Sequence, residues 1–302
     1  MADQARQDET QDQAHDQAHE RVTFGQRLRA TTDRFGPLCA GIDPHRALVE
    51  SWGLTYDVEG LTRFTETCVE AFAGHVGVVK PQSAFFEVFG SRGVAVLERA
   101  ILALREAGTL VILDAKRGDI GSTMSAYAEA YLGDDAVAPA DALTASPYLG
   151  FESLRPALDL AAQTGRGVFV LGLTSNPEGR TVQHATLRDV SVAESIVGGA
   201  ATENAAARSH GDLGSVGLVV GATVGSAVQE LGLDLAGCNG PLLAPGVGAQ
   251  GGTSEDLRRV FGDALPNVLP SSSREVLSAG PDVVRLREQA VRTSEHLADL
   301  LR

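Results

Sequence analysis

The residues best suited to chemistry lie close together in the segment Leu113–Thr123. An apolar run over residues 110–113 predicts a buried strand, and Asp114 and Lys116 follow it directly. Because side chains alternate along a strand, these two side chains are expected on the same face. Asp119 lies beyond the strand and must approach from the following loop. A lysine between two carboxylates is held as an ammonium ion, so the segment predicts a positioned proton donor beside fixed negative charge.

The elements that must position these groups follow a regular alternation. Short apolar runs alternate with amphipathic helical patterns, clearest over 91–107 and after Pro281. Eight such units over about 260 residues predict an α/β protein with a single (β/α)8 TIM barrel over residues 23–302. An open doubly wound sheet is the alternative, and it is disfavoured because functional-looking residues end nearly every strand. The predicted strands are Leu38–Asp43, Val76–Lys80, Leu110–Asp114, Asp141–Ser146, Gly167–Leu173, Val216–Gly221, Pro241–Pro245 and Asn267–Ser271.

Two segments depart from this alternation. Residues 1–22 predict a disordered polar tail, since its first twenty residues almost lack large apolar side chains. His15 and His19 have the spacing of a helical metal site, but no apolar face would order such a helix. Residues 179–214 exceed a usual connection and predict a helix at about 190–209. This segment is either a lid over the barrel mouth or an insertion without a catalytic role.

Charged residues end three neighbouring predicted strands. Asp43 ends the first and Lys80 the second, while Asp114 and Lys116 end the third, with Asp119 nearby. One such charge is compatible with a surface salt bridge. Four charges at the carboxyl ends of barrel strands instead predict an active site, because barrel enzymes build their sites there.

The later strands lead into loops suited to binding a phosphorylated heterocycle. Ser175 and Asn176 could present a hydroxyl and an amide to a flat ring, although the same residues form a strong turn sequence. A glycine-rich loop containing Gln250 and Gly251 follows the seventh strand, and Arg274 follows the eighth. Loops after these two strands form the usual phosphate site of such barrels, and arginine can bind a phosphate with two parallel hydrogen bonds.

The motif Asp-x-Lys-x-x-Asp followed by Ile-x-x-Thr resembles the signature of the orotidine 5′-phosphate decarboxylase family. Sister enzymes that act on sugar phosphates share its first half. The resemblance extends over about residues 24–300 and is closest to the longer bacterial branch of the family. The residues that carry it are Asp114, Lys116, Asp119, Ile120, Thr123, Gly41–Pro44, Val78–Pro81 and Phe85–Glu87.

The resemblance implies decarboxylation of orotidine 5′-phosphate to uridine 5′-phosphate and CO2 in de novo pyrimidine biosynthesis. It implies that Lys116 donates the proton to C6, that Asp114 and Asp119 hold this lysine, and that Asp43 and Lys80 bind ribose hydroxyls and complete the charge array. It implies a homodimer with shared active sites, in which Asp119 and Thr123 reach the neighbouring subunit. The implied substrate-binding residues are Asp43, Thr123, Ile120, Ser175, Asn176, Gln250, Gly251 and Arg274.

One position departs from the family pattern. Glu275 follows Arg274, where a small residue is usual. Either this carboxylate turns outward, or the phosphate depends more on Gln250 and the backbone of the glycine-rich loop.

Composition narrows the remaining classes of function. The formal charge of −14 argues against a nucleic-acid binder, and no apolar run is long enough to span a membrane. The acidic N-terminus does not resemble a secretory signal, and three cysteines without CxxC spacing predict core thiols in the cytoplasm. Neither metal-ligand spacing nor a dinucleotide-binding glycine motif is present, so no cofactor is expected.

Two other functions remain compatible with these features. One is a sister enzyme of the same barrel group, a lyase or decarboxylase that uses Mg²⁺ to stabilise an enediolate from a sugar phosphate. The other is a non-catalytic barrel that binds a phosphorylated metabolite. The acid–lysine array disfavours both.

Overall fold

A closed barrel of parallel strands forms the centre of the protein. The computed structural model describes residues 21–247 and 253–301. The strands there are β1 (Cys39–Ile42), β2 (Val78–Pro81), β3 (Leu110–Arg117), β4 (Ala142–Ala145), β5 (Gly167–Leu173), β6 (Thr186–Leu187), β7 (Val190–Ser191), β8 (Val216–Val220), β9 (Leu242–Pro245) and β10 (Val268–Ser272). Eight of them close the barrel in the order β1-β10-β9-β8-β5-β4-β3-β2, while β6 and β7 form a separate antiparallel hairpin. The predicted (β/α)8 barrel is confirmed.

Helices cover the outside of the barrel. They are α1 (Phe24–Phe35), α2 (Arg46–Ser51), α3 (Val58–Phe72), α4 (Ala84–Glu87), α5 (Gly90–Glu106), α6 (Gly121–Leu132), α7 (Arg155–Thr164), α8 (Arg180–Gln183), α9 (Val192–Glu203), α10 (Ala205–His210), α11 (Ala227–Glu230), α12 (Ser254–Phe261), α13 (Arg274–Leu277) and α14 (Val283–Leu300). In α5 the periodic residues Leu97, Ile101 and Leu104 are buried against the barrel, as the helical pattern predicts. No helix within the described ranges is both long and apolar enough to cross a membrane.

The end of the barrel opposite the strand carboxyl ends is closed by α1 and a buried ion cluster. The Phe24 ring packs edge-on against Phe169 of β5, with 5.9 Å between ring centroids. Asp141, before β4, accepts from the Val111 amide and pairs with Arg27 and Arg105. These contacts hold the amino ends of the strands and leave the opposite end free for a site.

The connection between β5 and β8 has the predicted length but is less regular than the sequence predicts. Instead of one helix over about 190–209, the chain forms the β6–β7 hairpin, then α9 and α10. The two helices meet at Asn204, whose buried amide donates to the Val216 and Cys238 carbonyl oxygens and accepts from the Val216 amide. The single-helix prediction is therefore wrong, because these three bonds hold Asn204 at the junction between the two helices.

The three cysteines are free and buried, as predicted for core thiols. Cys39 lies on β1, Cys68 lies in α3, and Cys238 lies between α11 and β9. Burial raises the pKa of Cys39 to about 12 and that of Cys238 to about 11, and it also raises the pKa of Cys68. All three therefore remain neutral thiols at physiological pH.

The predicted tail, residues 1–22, lies almost entirely outside the described residues. His15 and His19 are among the residues not described. Arg21, which is described, pairs with Asp134 at 2.8 Å between exposed side chains.

Candidate active site

A cavity of about 760 Å³ opens at the carboxyl ends of the barrel strands. Its lining includes six of the predicted site residues, which are Asp43, Lys80, Asp114, Lys116, Asn176 and Arg274. The strand ends converge on this point because the barrel is parallel and closed. The volume is in the range of pockets that bind small organic molecules.

Asp114 is the centre of the charged cluster. One carboxylate oxygen, Oδ2, accepts from Lys80 Nζ at 2.8 Å and from Gln82 Nε2 at 3.0 Å. The other, Oδ1, accepts from Lys116 Nζ at 2.5 Å and from Thr144 Oγ1 at 2.9 Å. Four donors on one buried carboxylate fix its orientation and hold it ionised.

The pKa values of the cluster follow from its charges. Burial alone would raise the pKa of Asp114, but Lys80 and Lys116 outweigh it and lower that pKa to about 2. Burial would lower the pKa of Lys80, but the charges of Asp114 and Asp43 raise it above its ordinary value. Both groups are therefore charged throughout the physiological range.

The two lysines differ in access to the cavity. The Lys80 side chain is 9% exposed, whereas that of Lys116 is 45% exposed. Lys116 has φ of +48°, in the left-handed region, and the β3–β4 register shifts between Leu113 and Arg117. The strand is thus irregular at this lysine, whereas the sequence predicts simple alternation. The ammonium of Lys116 is thus more accessible to a ligand than that of Lys80, which lines the cavity but is largely buried.

Two buried oxygens at the mouth have no hydrogen-bond partner within the described residues. They are Oδ1 of Asp43, after β1, and Oγ of Ser273, after β10. A Cβ placed on Gly41 would lie 2.6 Å from Cβ of Ser273, so the two strand ends approach closely here. A buried polar atom without a partner is costly, so both oxygens are suited to a ligand with hydroxyl groups.

The segment after β5 forms another part of the cavity wall. Gln183 of α8 accepts from the Thr174 amide at 3.0 Å and donates to its hydroxyl at 2.7 Å. The Thr174 hydroxyl donates to Asn176 Oδ1 at 2.6 Å. Asn176 lines the cavity, whereas Ser175 is exposed and is not among the described residues that line it. Leu171, Val219 and Leu243 add an apolar surface.

The predicted phosphate end is partly described. Arg274 is exposed and lines the cavity. Glu275 lines it too, so its carboxylate lies beside the predicted phosphate ligand. Gln250 and Gly251 lie outside the described residues. His45, which follows Pro44 after β1, also lines the cavity and packs against Phe85, with 4.2 Å between ring centroids.

The remaining predicted residues lie away from the cavity of their own chain. Asp119 Oδ1 accepts from the Ile120 amide, and no lysine or arginine of the described ranges forms an ion pair with it. Thr123 is exposed on α6, and the Ile120 side chain is 61% exposed. Lys116 therefore pairs with one carboxylate of its own chain, rather than with the two that the sequence suggests.

The sequence did not reveal Gln82, Thr144 or Gln183 as site residues. Each contacts a predicted site residue or its neighbour through a side-chain hydrogen bond. Gln82 directly follows the Val78–Pro81 motif, which was a usable signal. Thr144 and Gln183 occur in a strand and an insertion where their residue types are ordinary, so no sequence signal distinguished them.

A second cavity, of about 860 Å³, lies outside the barrel between α5 and α6. Its lining includes Glu87 and Arg117 but none of the predicted site residues. We therefore place the candidate active site in the strand-end cavity, where the charged cluster lies. Across residues 21–247 and 253–301, no group of three or more His, Cys, Asp or Glu side chains is arranged to hold a metal ion.

Comparisons with known proteins agree with this architecture. A model of the family described as "Orotidine 5'-phosphate decarboxylase / HUMPS family" matches residues 36–289. The orotidine 5′-phosphate decarboxylases of Streptomyces coelicolor and Salinispora tropica are each 59% identical over 271 residues, covering 89% of this chain and 95% of theirs. A Streptomyces avermitilis crystal structure matches with 55% identity and a TM-score of 0.88, covering 94% of this chain and 98% of that one. Leishmania donovani OMP decarboxylase matches with 29% identity and a TM-score of 0.68, covering 92% and 98%.

Proposed function

Because the chain belongs to the orotidine 5′-phosphate decarboxylase / HUMPS family, we propose that it converts orotidine 5′-phosphate to uridine 5′-phosphate and CO2 in pyrimidine biosynthesis. The observation that carries this proposal is the Lys80–Asp114–Lys116 cluster at the mouth of the barrel. It offers an exposed ammonium group beside a carboxylate that is held ionised.

In the proposed reaction Lys116 supplies the proton. The bond between C6 and the carboxylate breaks, CO2 leaves, and the electron pair stays on C6. The Lys116 ammonium gives its proton to that carbon and then regains one from water. The same positive charge would stabilise the negative charge that develops at C6 in the transition state.

Asp114 acts through position and charge. Its carboxylate holds Lys116 at 2.5 Å and would face the substrate carboxylate across the cavity. The low pKa of Asp114 keeps this carboxylate ionised at all working pH values. Its charge would therefore repel the carboxylate of the bound substrate, and this repulsion would be relieved when CO2 departs.

Asp43 and Lys80 would bind the ribose. The unpartnered Asp43 Oδ1 is a buried acceptor, and a ribose hydroxyl is a donor of the kind it lacks. Asn176 would present its amide to the pyrimidine ring, with Ser175 in the same loop, and Arg274 would bind the phosphate together with Gln250 and Gly251. Binding energy from the phosphate would align the base with Lys116.

We propose a homodimer in which Asp119, Ile120 and Thr123 complete the partner's site. The exposure of Ile120 and Thr123 supports this assignment, as does the position of all three residues outside the lining of their own cavity. Tyr148 and Leu149, after β4, are 78% and 53% exposed, and Ile120 is 61% exposed. Exposed apolar side chains on neighbouring loops are typical of an interaction surface.

We propose that the reaction needs no cofactor. Both oxygens of Asp114 are engaged by ammonium groups, which disfavours a divalent cation at this carboxylate and therefore the Mg²⁺-dependent sister reaction. A barrel that only binds a metabolite gains nothing from such a costly charged cluster.

The three free core thiols are suited to the cytoplasm, where we place the protein.

One assay distinguishes these functions. The loss of orotidine 5′-phosphate absorbance is followed with the intact protein, with and without a chelator. We expect equal turnover in both. Activity that disappears with chelator and returns with Mg²⁺ would support the sister reaction, and binding of uridine 5′-phosphate without turnover would support the metabolite-binding barrel.

A further inference from the structure

We propose that Thr144 is a positioning residue that sets the catalytic lysine against its carboxylate, an inference that rests on the proposed function. Thr144 lies on β4, the strand next to the one that carries Asp114 and Lys116, and it is 1% exposed. It contacts both residues through one hydroxyl group.

The directions of these two hydrogen bonds are determined by chemistry. The Lys116 amide can only donate, so Thr144 Oγ1 accepts from it at 2.9 Å. The hydroxyl proton is then free for Asp114 Oδ1, also at 2.9 Å, and this ionised carboxylate can only accept. Both capacities of the hydroxyl are therefore used in an arrangement that a methyl group cannot reproduce.

The backbone of Lys116 needs such an acceptor. Leu113 pairs with Leu143 and Arg117 with Ala145, but the register shifts between these pairs. Lys116 lies in the shifted stretch with φ of +48°, a conformation that is unfavourable for a residue with a Cβ. The Thr144 hydroxyl accepts from the amide there, so a side chain takes the part that a backbone carbonyl has in a regular strand.

The contacts form a closed ring. The Lys116 amide donates to Thr144, Thr144 donates to Asp114 Oδ1, and the same oxygen accepts from Lys116 Nζ. The backbone and the ammonium of one lysine are thus tied to a common carboxylate oxygen. Loss of the hydroxyl would free the strained backbone to relax and move the ammonium relative to the reacting carbon.

The test compares Thr144→Val, which keeps the shape and removes the hydroxyl, with Thr144→Ser, which keeps the hydroxyl. We expect Thr144→Val to lower kcat about 10- to 100-fold with KM within about threefold, because small misplacements of a catalytic group have effects of this size. Thr144→Ser should stay within about threefold of the wild-type kcat. Thr65→Val is the matched control, since Thr65 is also buried and donates only to the Leu61 carbonyl oxygen within α3.

Amide hydrogen exchange gives a readout that needs no turnover. The Lys116 amide should exchange faster in Thr144→Val than in the wild type, and at the wild-type rate in Thr65→Val. If Thr144→Val does not fold, Thr144→Ala is measured in the same way, with the same losses expected.

The outcomes separate the two proposals. A wild-type protein that does not decarboxylate its substrate refutes the proposed function, whatever the exchange data show. An active wild type with unchanged kcat in Thr144→Val, or an unchanged exchange rate at the Lys116 amide, overturns the role of Thr144. A loss of kcat that Thr144→Ser does not restore also overturns it, because the hydroxyl would not be the cause.

Discussion

Replacement of Asp114 by asparagine tests the electrostatic account of the site through stability rather than through activity. The substitution keeps the shape of the side chain and removes its charge. It leaves the buried Lys80 ammonium without the partner at 2.8 Å, and Lys116 without the one at 2.5 Å. We therefore expect Asp114→Asn to destabilise the fold at neutral pH.

The size of the effect follows from the pKa and from burial. A carboxyl pKa that falls from 3.8 to about 2 on folding corresponds to about 2 kcal/mol of stabilisation at neutral pH. Removing one member of a buried ion pair costs about 3–5 kcal/mol, since the other charge stays buried. The expected loss in the free energy of unfolding is therefore about 2–5 kcal/mol at pH 7.

The effect should depend on pH in a defined direction. The folded-state pKa of Asp114 is below the unfolded value, so its stabilisation is present above about pH 4 and is lost as the pH falls through about 2. Asparagine does not titrate, so the stability difference between wild type and variant should shrink as the pH falls. It should be about 1 kcal/mol smaller near pH 3 than at pH 7.

Urea unfolding of both proteins at about pH 7 and about pH 3 measures this difference. Glu50→Gln is the control, because Glu50 pairs with Arg46 at 3.6 Å on the surface, with side chains 53% and 65% exposed. The control should change stability little at either pH. Equal stability of Asp114→Asn and wild type at pH 7, or a difference that does not change with pH, would refute the reasoning.

Three further predictions concern the proposed reaction. Lys116→Ala should remove nearly all kcat while uridine 5′-phosphate still binds, as measured by steady-state kinetics and calorimetry; an unchanged kcat would reject the proton-donor role. Arg274→Ala should lower kcat/KM, mainly through KM, and the loss should correspond to several kcal/mol of transition-state stabilisation, roughly the scale of a lost buried charge pair; an effect confined to kcat would place the phosphate elsewhere. Mixing inactive Lys116→Ala and Asp119→Ala proteins should restore about a quarter of wild-type activity once subunits exchange, since half the random dimers are mixed and each has one intact site; no recovery despite exchange confirmed by mass spectrometry would place Asp119 in its own chain's site.

The barrel could be predicted from the sequence because its strands are buried on both faces. Such strands are continuous apolar runs, and the predicted bounds of β5 coincide with the observed Gly167–Leu173. The prediction failed where polarity interrupts a strand. β3 continues to Arg117, three residues beyond its predicted end at Asp114, because Arg117 pairs with Ala145 of β4 without an apolar signal.

The charged part of the site was also predictable, since parallel strands bring their carboxyl ends together. Its hydrogen-bonded supports were not. Thr144 has the residue type expected of any strand, and its role depends on which oxygen lies 2.9 Å away. The break between α9 and α10 is a similar case, because the alanine-rich sequence favours one continuous helix. Asn204 ends α9 through hydrogen bonds to backbone carbonyl oxygens that lie 12 and 34 residues away in the sequence.

The burial of the three thiols has a practical consequence for following motions of this protein. Thiol reagents attack the thiolate, and each of these cysteines is both inaccessible and held neutral while the chain is folded. Alkylation therefore requires an opening event, and its rate measures how often that event occurs. Cys39 would report on the barrel wall beside the charged cluster, Cys68 on the α3 layer, and Cys238 on the connection next to Asn204. The chain thus contains three native probes of local unfolding in separate regions, and no cysteine has to be introduced to use them.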